Sequence, residues 1–249
     1  MKLVRFRTPD DGSPKEGELR GDAVIAGDSI YRFDRVALLP PCVPTKIVCV
    51  GRNYAAHARE LGNVVPKEPL FFFKPPSAVI GPDEGIVLPE SPQVDYEAEL
   101  AVVIGRRCRN VPPERALEFV LGYTCMNDVT DRAAQRWEQN WVRAKGFDTS
   151  APLGPAILTR DETDGPFHIT LRLNGILRQD GTTELMICPV PRLIAMISSI
   201  MTLEPGDVIA TGTPAGVGPL SPGDTVEITI DGIGTLRNRV RAPGQKELG

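Results

Sequence analysis

The 249-residue chain is predicted to be a mixed, β-rich α+β protein. Three observations carry that expectation. Short apolar or strictly alternating runs recur along the whole length. Gly and Pro number 24 each, which implies many turns. The few helical patterns do not alternate regularly with the strands, which argues against a doubly wound sheet.

Taken in order, residues 1–43 read as a small N-terminal unit, with "KLVRF", "GELRGDAVIAG" and "SIYRF" as short strands joined by Gly/Asp turns. The Pro-rich "LPPCVPT" marks the boundary with a second unit, 44–249. "KIVCVG" is an apolar strand. "NYAAHARELG" is a short helix, with Asn53 as its N-cap and Gly62 as its stop. "LFFFKP" and "GIVLP" are strands, and the aromatic run Leu70–Phe73 is expected in the core. Asp95–Gly105 follows as a strand, then a helix near Pro113–Leu121, a strand at "YTCMNDV" and a helix over Thr130–Asn140. "FHITLRLNG" alternates, placing Phe167, Ile169, Leu171 and Leu173 on one face. Pro191–Met201 is an apolar helix, "GDVIATGTPAGVGPL" a strand running into a Gly/Thr loop, and "GDTVEITIDGIGTLRNRV" a terminal hairpin.

The bulk numbers exclude several classes of function. A net charge of −4 without a basic tract argues against nucleic acid or an anionic membrane as a partner. No apolar run approaches the roughly 20 residues of a membrane span, and "MKLVRFRTPD" lacks the apolar stretch of a signal peptide. Five cysteines without a CxxC pair fit reduced thiols in a cytoplasm. GxGxxG, GxxxxGK[ST], HExxH and GxSxG are all absent, and two histidines are too few for a histidine-rich metal site.

Candidate chemistry begins in "VDYEAELAVVIG". Strand periodicity puts Asp95, Glu97, Glu99, Ala101 and Val103 on one face. Beyond Leu100 both faces are apolar, as in a central strand. The carboxylates could simply mark a solvated strand entrance. Like charges on one face, however, repel unless something positive lies between them. A hard divalent cation such as Mg²⁺ suits that position and needs further oxygens. Asp128 in "MNDVTDR" is a candidate third ligand, although an Asp before a helix can equally be a cap.

"GRNYAAHARELGN", "LFFFKPPSAVIGP", "VDYEAELAVVIG", "GYTCMNDVTDR", "RAKGFDTSAPLGP" and "TGTPAGVGPL" occur in this order. Together they resemble the fumarylacetoacetate hydrolase family, in particular its short members: acylpyruvases, oxaloacetate decarboxylases and hydroxyheptadienedioate isomerases. The resemblance runs from about residue 45 to the end. It implies a β-sandwich roll behind a small N-terminal β domain, a homodimer, and Mg²⁺ or Mn²⁺ held by Glu97, Glu99 and Asp128.

It also gives meaning to other residues. His57 and Glu60 lie three apart and share a helical face, where a carboxylate can fix the imidazole tautomer and raise its basicity. The resemblance implies a water-activating pair. Arg132 and Gln135 can share one face of a helix, and Arg offers a planar fork to a carboxylate; by resemblance they hold the oxalate end of the substrate. The family often reads D-x-T-A-R-D where this chain has "DVTDRAAQ", so Asp131 is an added charge. Lys145, otherwise an ordinary surface lysine, would reach the substrate beside the metal and stabilise an enolate. Thr213 in "TGTP" would touch substrate, with Lys74 a weaker candidate. His168 sits on the polar side of its alternating strand and is given no role, and Asp95 stays outside the ligand set.

The implied reaction is C–C hydrolysis of an acylpyruvate-type β-diketo acid through a metal-bound enolate, with His57 activating water. The same enolate serves isomerisation of 2-hydroxyhepta-2,4-diene-1,7-dioate or 5-carboxymethyl-2-hydroxymuconate, and decarboxylation of oxaloacetate. A non-catalytic small-molecule-binding protein on the same scaffold is the third, different reading.

Overall fold

The computed structural model describes residues 1–163 and 165–244. Its spine is a 12-stranded sheet. One path through it runs Ser29–Arg32, Ala23–Ala26, Asp11–Arg20, Lys2–Thr8, Ala151–Thr159, Val120–Asn127, Ala98–Ile104, Val208–Ala210, Ile47–Gly51, Leu70–Lys74. A five-stranded sheet of Ile176–Thr182, His168–Leu173, Thr225–Ile230, Gly234–Arg241 and Gly85–Val87 covers one face. A short three-stranded sheet joins Thr130–Asp131, Val94–Tyr96 and Gly218–Pro219.

Ala98–Ile104 is central in the large sheet, antiparallel to Val120–Asn127 on one side and to Val208–Ala210 on the other. Its alternation decides two cores. Leu100, Val102 and Ile104 point between the sheets, where they pack with Ile169, Leu171, Ile228, Leu236 and the helix residues Leu193, Ile194 and Ile197. Ala101 and Val103 point to the opposite face, with Ile47, Cys49, Met126, Leu153 and Ile157. The small side chains there leave room for Met126 and Phe72. The N-terminal strands form a meander around Val4, Phe6 and Val24. Lys2 and Leu3 of this meander pair with Leu158 and Ile157, extending the large sheet. No helix among the described residues is long and apolar enough to cross a membrane.

Several local expectations are corrected. Asn53 is not the N-cap of Ala55–Glu60; Tyr54 holds that position, without a side-chain cap bond. The Asn53 amide instead reaches the carbonyls of Cys188 and Thr211 and accepts from the Cys188 N–H, tying three loops together. Thr130–Asn140 is not one helix. Thr130–Asp131 is a strand and the helix covers only Arg132–Trp137, because Asp131 is drawn into the short sheet and caps the turn that follows. The Pro113–Phe119 segment is a 3₁₀ helix. Of the run Leu70–Phe73, only Phe72 is buried; Leu70 and Phe73 are exposed because this is the last strand on its side of the sheet, where packing is incomplete on both faces.

One carboxylate fastens the strands that carry the site. Asp207 is buried and accepts from the Thr45 N–H and hydroxyl, the Lys46 N–H and ammonium, and the Glu204 N–H. Burial alone would raise its pKa, but these donors outweigh burial and hold it below the usual value. A depressed folded pKa contributes stability above the unfolded value of about 3.9, and that contribution is lost as pH falls through the folded one. Asp207→Ala is expected to cost about 2–4 kcal/mol. It should also flatten the acid limb of the stability curve, read from denaturant midpoints between neutral pH and pH 3.

Candidate active site

A bend at Glu97 separates Val94–Tyr96 from Ala98–Ile104. The ladder lost there is replaced by side chains. The Asn127 carbonyl oxygen accepts from the Glu97 N–H at 2.9 Å, and the Gln179 carbonyl oxygen accepts from the Ala98 N–H at 2.9 Å. Asp95, Glu97 and Glu99 line one cavity of about 410 Å³. Asp128 enters it from the end of Val120–Asn127, its N–H bonded to the Glu97 carbonyl.

Glu97, Glu99 and Asp128 are buried and each offers an oxygen, all within 4.8 Å of one another. The positive charges are equally deep. Lys145 Nζ bridges Glu97 Oε2 at 2.9 Å and Asp128 Oδ2 at 2.7 Å. Lys74 Nζ lies 2.9 Å from Asp128 Oδ1 and donates to the carbonyls of Val129, Lys145 and Ser150. Arg132 donates through Nε to Asp95 and through Nη2 to Glu97, at 2.7 and 2.6 Å.

Four carboxylates thus face three cations. Burial opposes ionisation of Glu97, but Lys145 and Arg132 overcome it and hold the carboxyl far below its usual range. Lys145 is raised in the same way: burial works against its charge, and Asp128 and Glu97 outweigh it. Lys74 is lowered, chiefly by burial, with Asp128 only partly compensating. Glu99 is the odd member. Among the described residues it has no ion pair, only the Gly212 N–H at 2.8 Å. Burial, then Asp128, then Glu97 push it well above the usual carboxylate value.

This donor set fits a hard divalent cation: clustered buried carboxylate oxygens, one of them lacking a counter-charge. Glu97, Glu99 and Asp128 would hold it. Asp95 is committed to Arg132 and Gln93 instead.

The remaining site residues gather on the same cavity. His57 is buried, lines the wall, and its Nδ1 lies 3.3 Å from Glu60 Oε2. Glu60 is held in turn by the Gly216 N–H. Gln135 accepts from Arg132 Nη1, which leaves its amide nitrogen for the cavity. Three arms of the Arg132 guanidinium are already engaged, so it orients Glu97 as much as it faces a ligand. Thr213 lines the cavity and accepts from Gln179 Nε2. Phe72, in edge contact with Trp141, forms an apolar wall under the Lys145 ammonium. His168 lies on the surface, 2.7 Å from Asp180. The added charge of Asp131 is accounted for: its carboxylate caps Ala134 N and accepts from the Ser91 hydroxyl. Lys74 stands behind Asp128 without lining the cavity, and the sequence gives no sign of the parts played by Gln179, Asn127 and Trp141. Lys74 had one legible signal, a lysine closing an apolar strand.

The profile of the fumarylacetoacetate hydrolase C-terminal domain matches residues 46–241. The chain belongs to the fumarylacetoacetate hydrolase family. A Mycobacterium tuberculosis protein is 49% identical over 265 residues, 98% of this chain and 100% of that one. The 5-carboxymethyl-2-hydroxymuconate delta-isomerase from Mycobacterium smegmatis superposes with a TM-score of 0.91 at 45% identity, covering 98% of this chain and 100% of that one. The maleylpyruvate hydrolase from Sphingobium sp. SYK-6, in complex with manganese(II) and pyruvate, gives 0.84 at 32% identity, covering 98% and 100%. The chain is therefore an enzyme of this family, whose structural neighbours include an isomerase and a hydrolase.

Burial and the neighbouring carboxylates bias Glu99 toward its neutral form, so a cation held there would compete with a proton. Affinity for Mn²⁺, followed by its electron paramagnetic resonance signal, is therefore expected to rise with pH until Glu99 is ionised. Glu99→Gln should weaken binding at least tenfold while leaving the melting temperature of the metal-free chain unchanged or higher. A melting temperature that falls sharply would mean the carboxylate is needed for folding instead.

Proposed function

We propose that this protein is a Mg²⁺- or Mn²⁺-dependent hydrolase that cleaves the C–C bond of acylpyruvate-type β-diketo acids. The observation that carries the reading is His57, with Glu60 behind it, on the wall of the same cavity that holds Glu97, Glu99 and Asp128. When bound, the cation supplies Lewis-acid polarisation of a 2-oxo acid's oxygens.

The chain's own residues do the rest. Arg132 and the Gln135 amide meet the carboxylate end of the substrate. With Nδ1–H directed to Glu60, His57 Nε2 keeps its lone pair for a water molecule. His57 takes a proton from that water as its oxygen attacks the carbonyl beyond the methylene carbon. The C–C bond breaks and its electron pair passes to the pyruvate fragment as an enolate. The Lys145 ammonium lies beside the developing charge and is held there by Glu97 and Asp128. Proton return to the methylene carbon completes pyruvate, and the acyl group leaves as a carboxylic acid.

A second reading shares the enolate end. The likeness to a hydroxymuconate isomerase supports proton transfer along a dienol diacid, in which the base moves a proton between carbons and activates no water. Loss of CO₂ from oxaloacetate would use the same end. The five buried, unpaired thiols support a reducing cytoplasm as its setting. A homodimer is also part of this proposal. Phe73 and Val142, 51% and 66% exposed, flank an apolar groove with Pro75 and Pro76, and light scattering of the purified chain should return twice the monomer mass.

The deciding experiment is a panel of acetylpyruvate, fumarylpyruvate, oxaloacetate and 5-carboxymethyl-2-hydroxymuconate with Mg²⁺, with Mn²⁺ and with EDTA. Hydrolysis of the acylpyruvates is expected to lead and to stop in EDTA; undiminished turnover in EDTA would sink the metal requirement. His57→Ala should lower hydrolysis about 10²–10⁴-fold. Full hydrolytic rate in that variant would remove the base assignment, and faster isomerisation than hydrolysis would establish the second reading.

A further inference from the structure

The loop from Gly212 to Gly216 connects three parts of the cavity. The Gly212 N–H donates to Glu99, Thr213 lines the cavity, and the Gly216 N–H donates to Glu60 behind His57. Both glycines have positive φ, +97° and +103°, which a side chain would strain. A Cβ at Gly216 would also meet the Arg178 carbonyl at 2.1 Å. The loop therefore lies directly on the backbone of Ile176–Thr182, a strand of the five-stranded sheet.

Gln179 of that strand is fully buried and spends its whole amide on this junction. Its carbonyl oxygen accepts from the Ala98 N–H, between the two glutamate ligands. Its Nε2 donates to Thr213 Oγ1 at 2.7 Å and to the Pro214 carbonyl at 2.8 Å. Ala98 N can only donate and Pro214 O can only accept, so the orientation of the amide is fixed by chemistry. Thr213 Oγ1 must then accept from Gln179, and its own proton is left free for the cavity.

We propose that Gln179 is a positioning residue, its amide clamping the Gly212–Gly216 loop and turning the Thr213 hydroxyl into an oriented donor for a substrate oxygen. The donor role rests on the proposed 2-oxo acid substrate; the clamp does not. Gln179→Glu keeps the shape and the acceptor for Ala98 N, but replaces the donor with an acceptor that draws the Thr213 proton away from the cavity. Gln179→Leu removes both ends of the clamp.

Two measurements test the proposal. Hydrogen exchange on the metal-free chain, without any substrate, is expected to quicken at least tenfold at the Gly212 and Gly216 amides in Gln179→Leu. The Ala98 amide, which loses its acceptor, should quicken with them, while the amides of Glu99–Ile104 should stay protected. Unchanged exchange in the loop overturns the clamp. In the turnover assay with acetylpyruvate, Gln179→Glu and Thr213→Ala should each lower kcat/KM by roughly tenfold to a hundredfold, and the double variant by no more than the worse single one. Multiplying losses would overturn the oriented donor, since the two residues would then act independently. If acetylpyruvate is not turned over by the unaltered enzyme, the substrate reading and with it the donor role fail, while the exchange result still decides the clamp.

Discussion

The structure depends on one constraint: a dense set of opposite charges must stay ionised where water is excluded. Taking an unpaired ion out of water costs several kcal/mol even after relaxation, and pairing offsets that only with good geometry. Asp95, Glu97 and Asp128 meet the requirement through Arg132, Lys145 and Lys74, at 2.6–2.9 Å in each ion pair. Much of the surrounding architecture serves these contacts. The stop after Lys74 turns its ammonium inward onto three carbonyls, and the short Val142–Lys145 helix delivers its last residue between two carboxylates. Rigidity comes from the two apolar faces of Ala98–Ile104, which fix the strand from which Glu97 and Glu99 project.

How much of this could be read in advance follows from the range of the interactions. A period of two placed Glu97 and Glu99 on one face, and that face does continue as Ala101 and Val103 in the folded protein. The alternation of "FHITLRLNG" was equally legible, since burial on one side leaves a local trace; Ile169 and Leu171 are fully buried. Partners distant in sequence leave none. Gln179 is 81 residues from the amide it accepts from, and Asn53 binds groups 135 and 158 residues away. Asn53 looked like a helix cap because local chemistry favours that role, and tertiary bonding overrode it. Asp131 shows the reverse: read as an unexplained charge, it is the cap of a helix whose start had been placed too early. The joint motifs made the family legible, while the break at Glu97 and the depth of Lys74 required the fold.

On the proposed reading, hydrolase, isomerase and decarboxylase chemistry would share the deep end of this cavity, because all three would pass through an enolate of a 2-oxo acid. They diverge at the wall. Hydrolysis needs a base that holds water against a second carbonyl, while isomerisation needs a base that reaches carbon. His57 sits on a six-residue helix, and its partner Glu60 is bonded to the Gly216 amide. His57 is thus tied through Glu60 to the loop that carries Thr213, so its reach depends on where that loop lies.

The charge count explains why anion binding and cation binding should be linked. Three of the carboxylates are paired with three cations, and Glu99, raised by burial and by Asp128, is biased toward its neutral form, which leaves the deep end close to balanced. Such a site has little net attraction for a substrate carboxylate. A divalent ion held by Glu97, Glu99 and Asp128 would favour the ionised form of Glu99, and four negative charges would then face five positive ones. The excess of one positive charge lies in a buried cleft, where Coulomb attraction is screened less than at a surface. An acid anion is drawn in and restores neutrality. Lys74 supports this arithmetic from behind Asp128 without facing the cavity. A neutral side chain there would leave the loaded site with no net charge, and an incoming carboxylate would then be buried uncompensated.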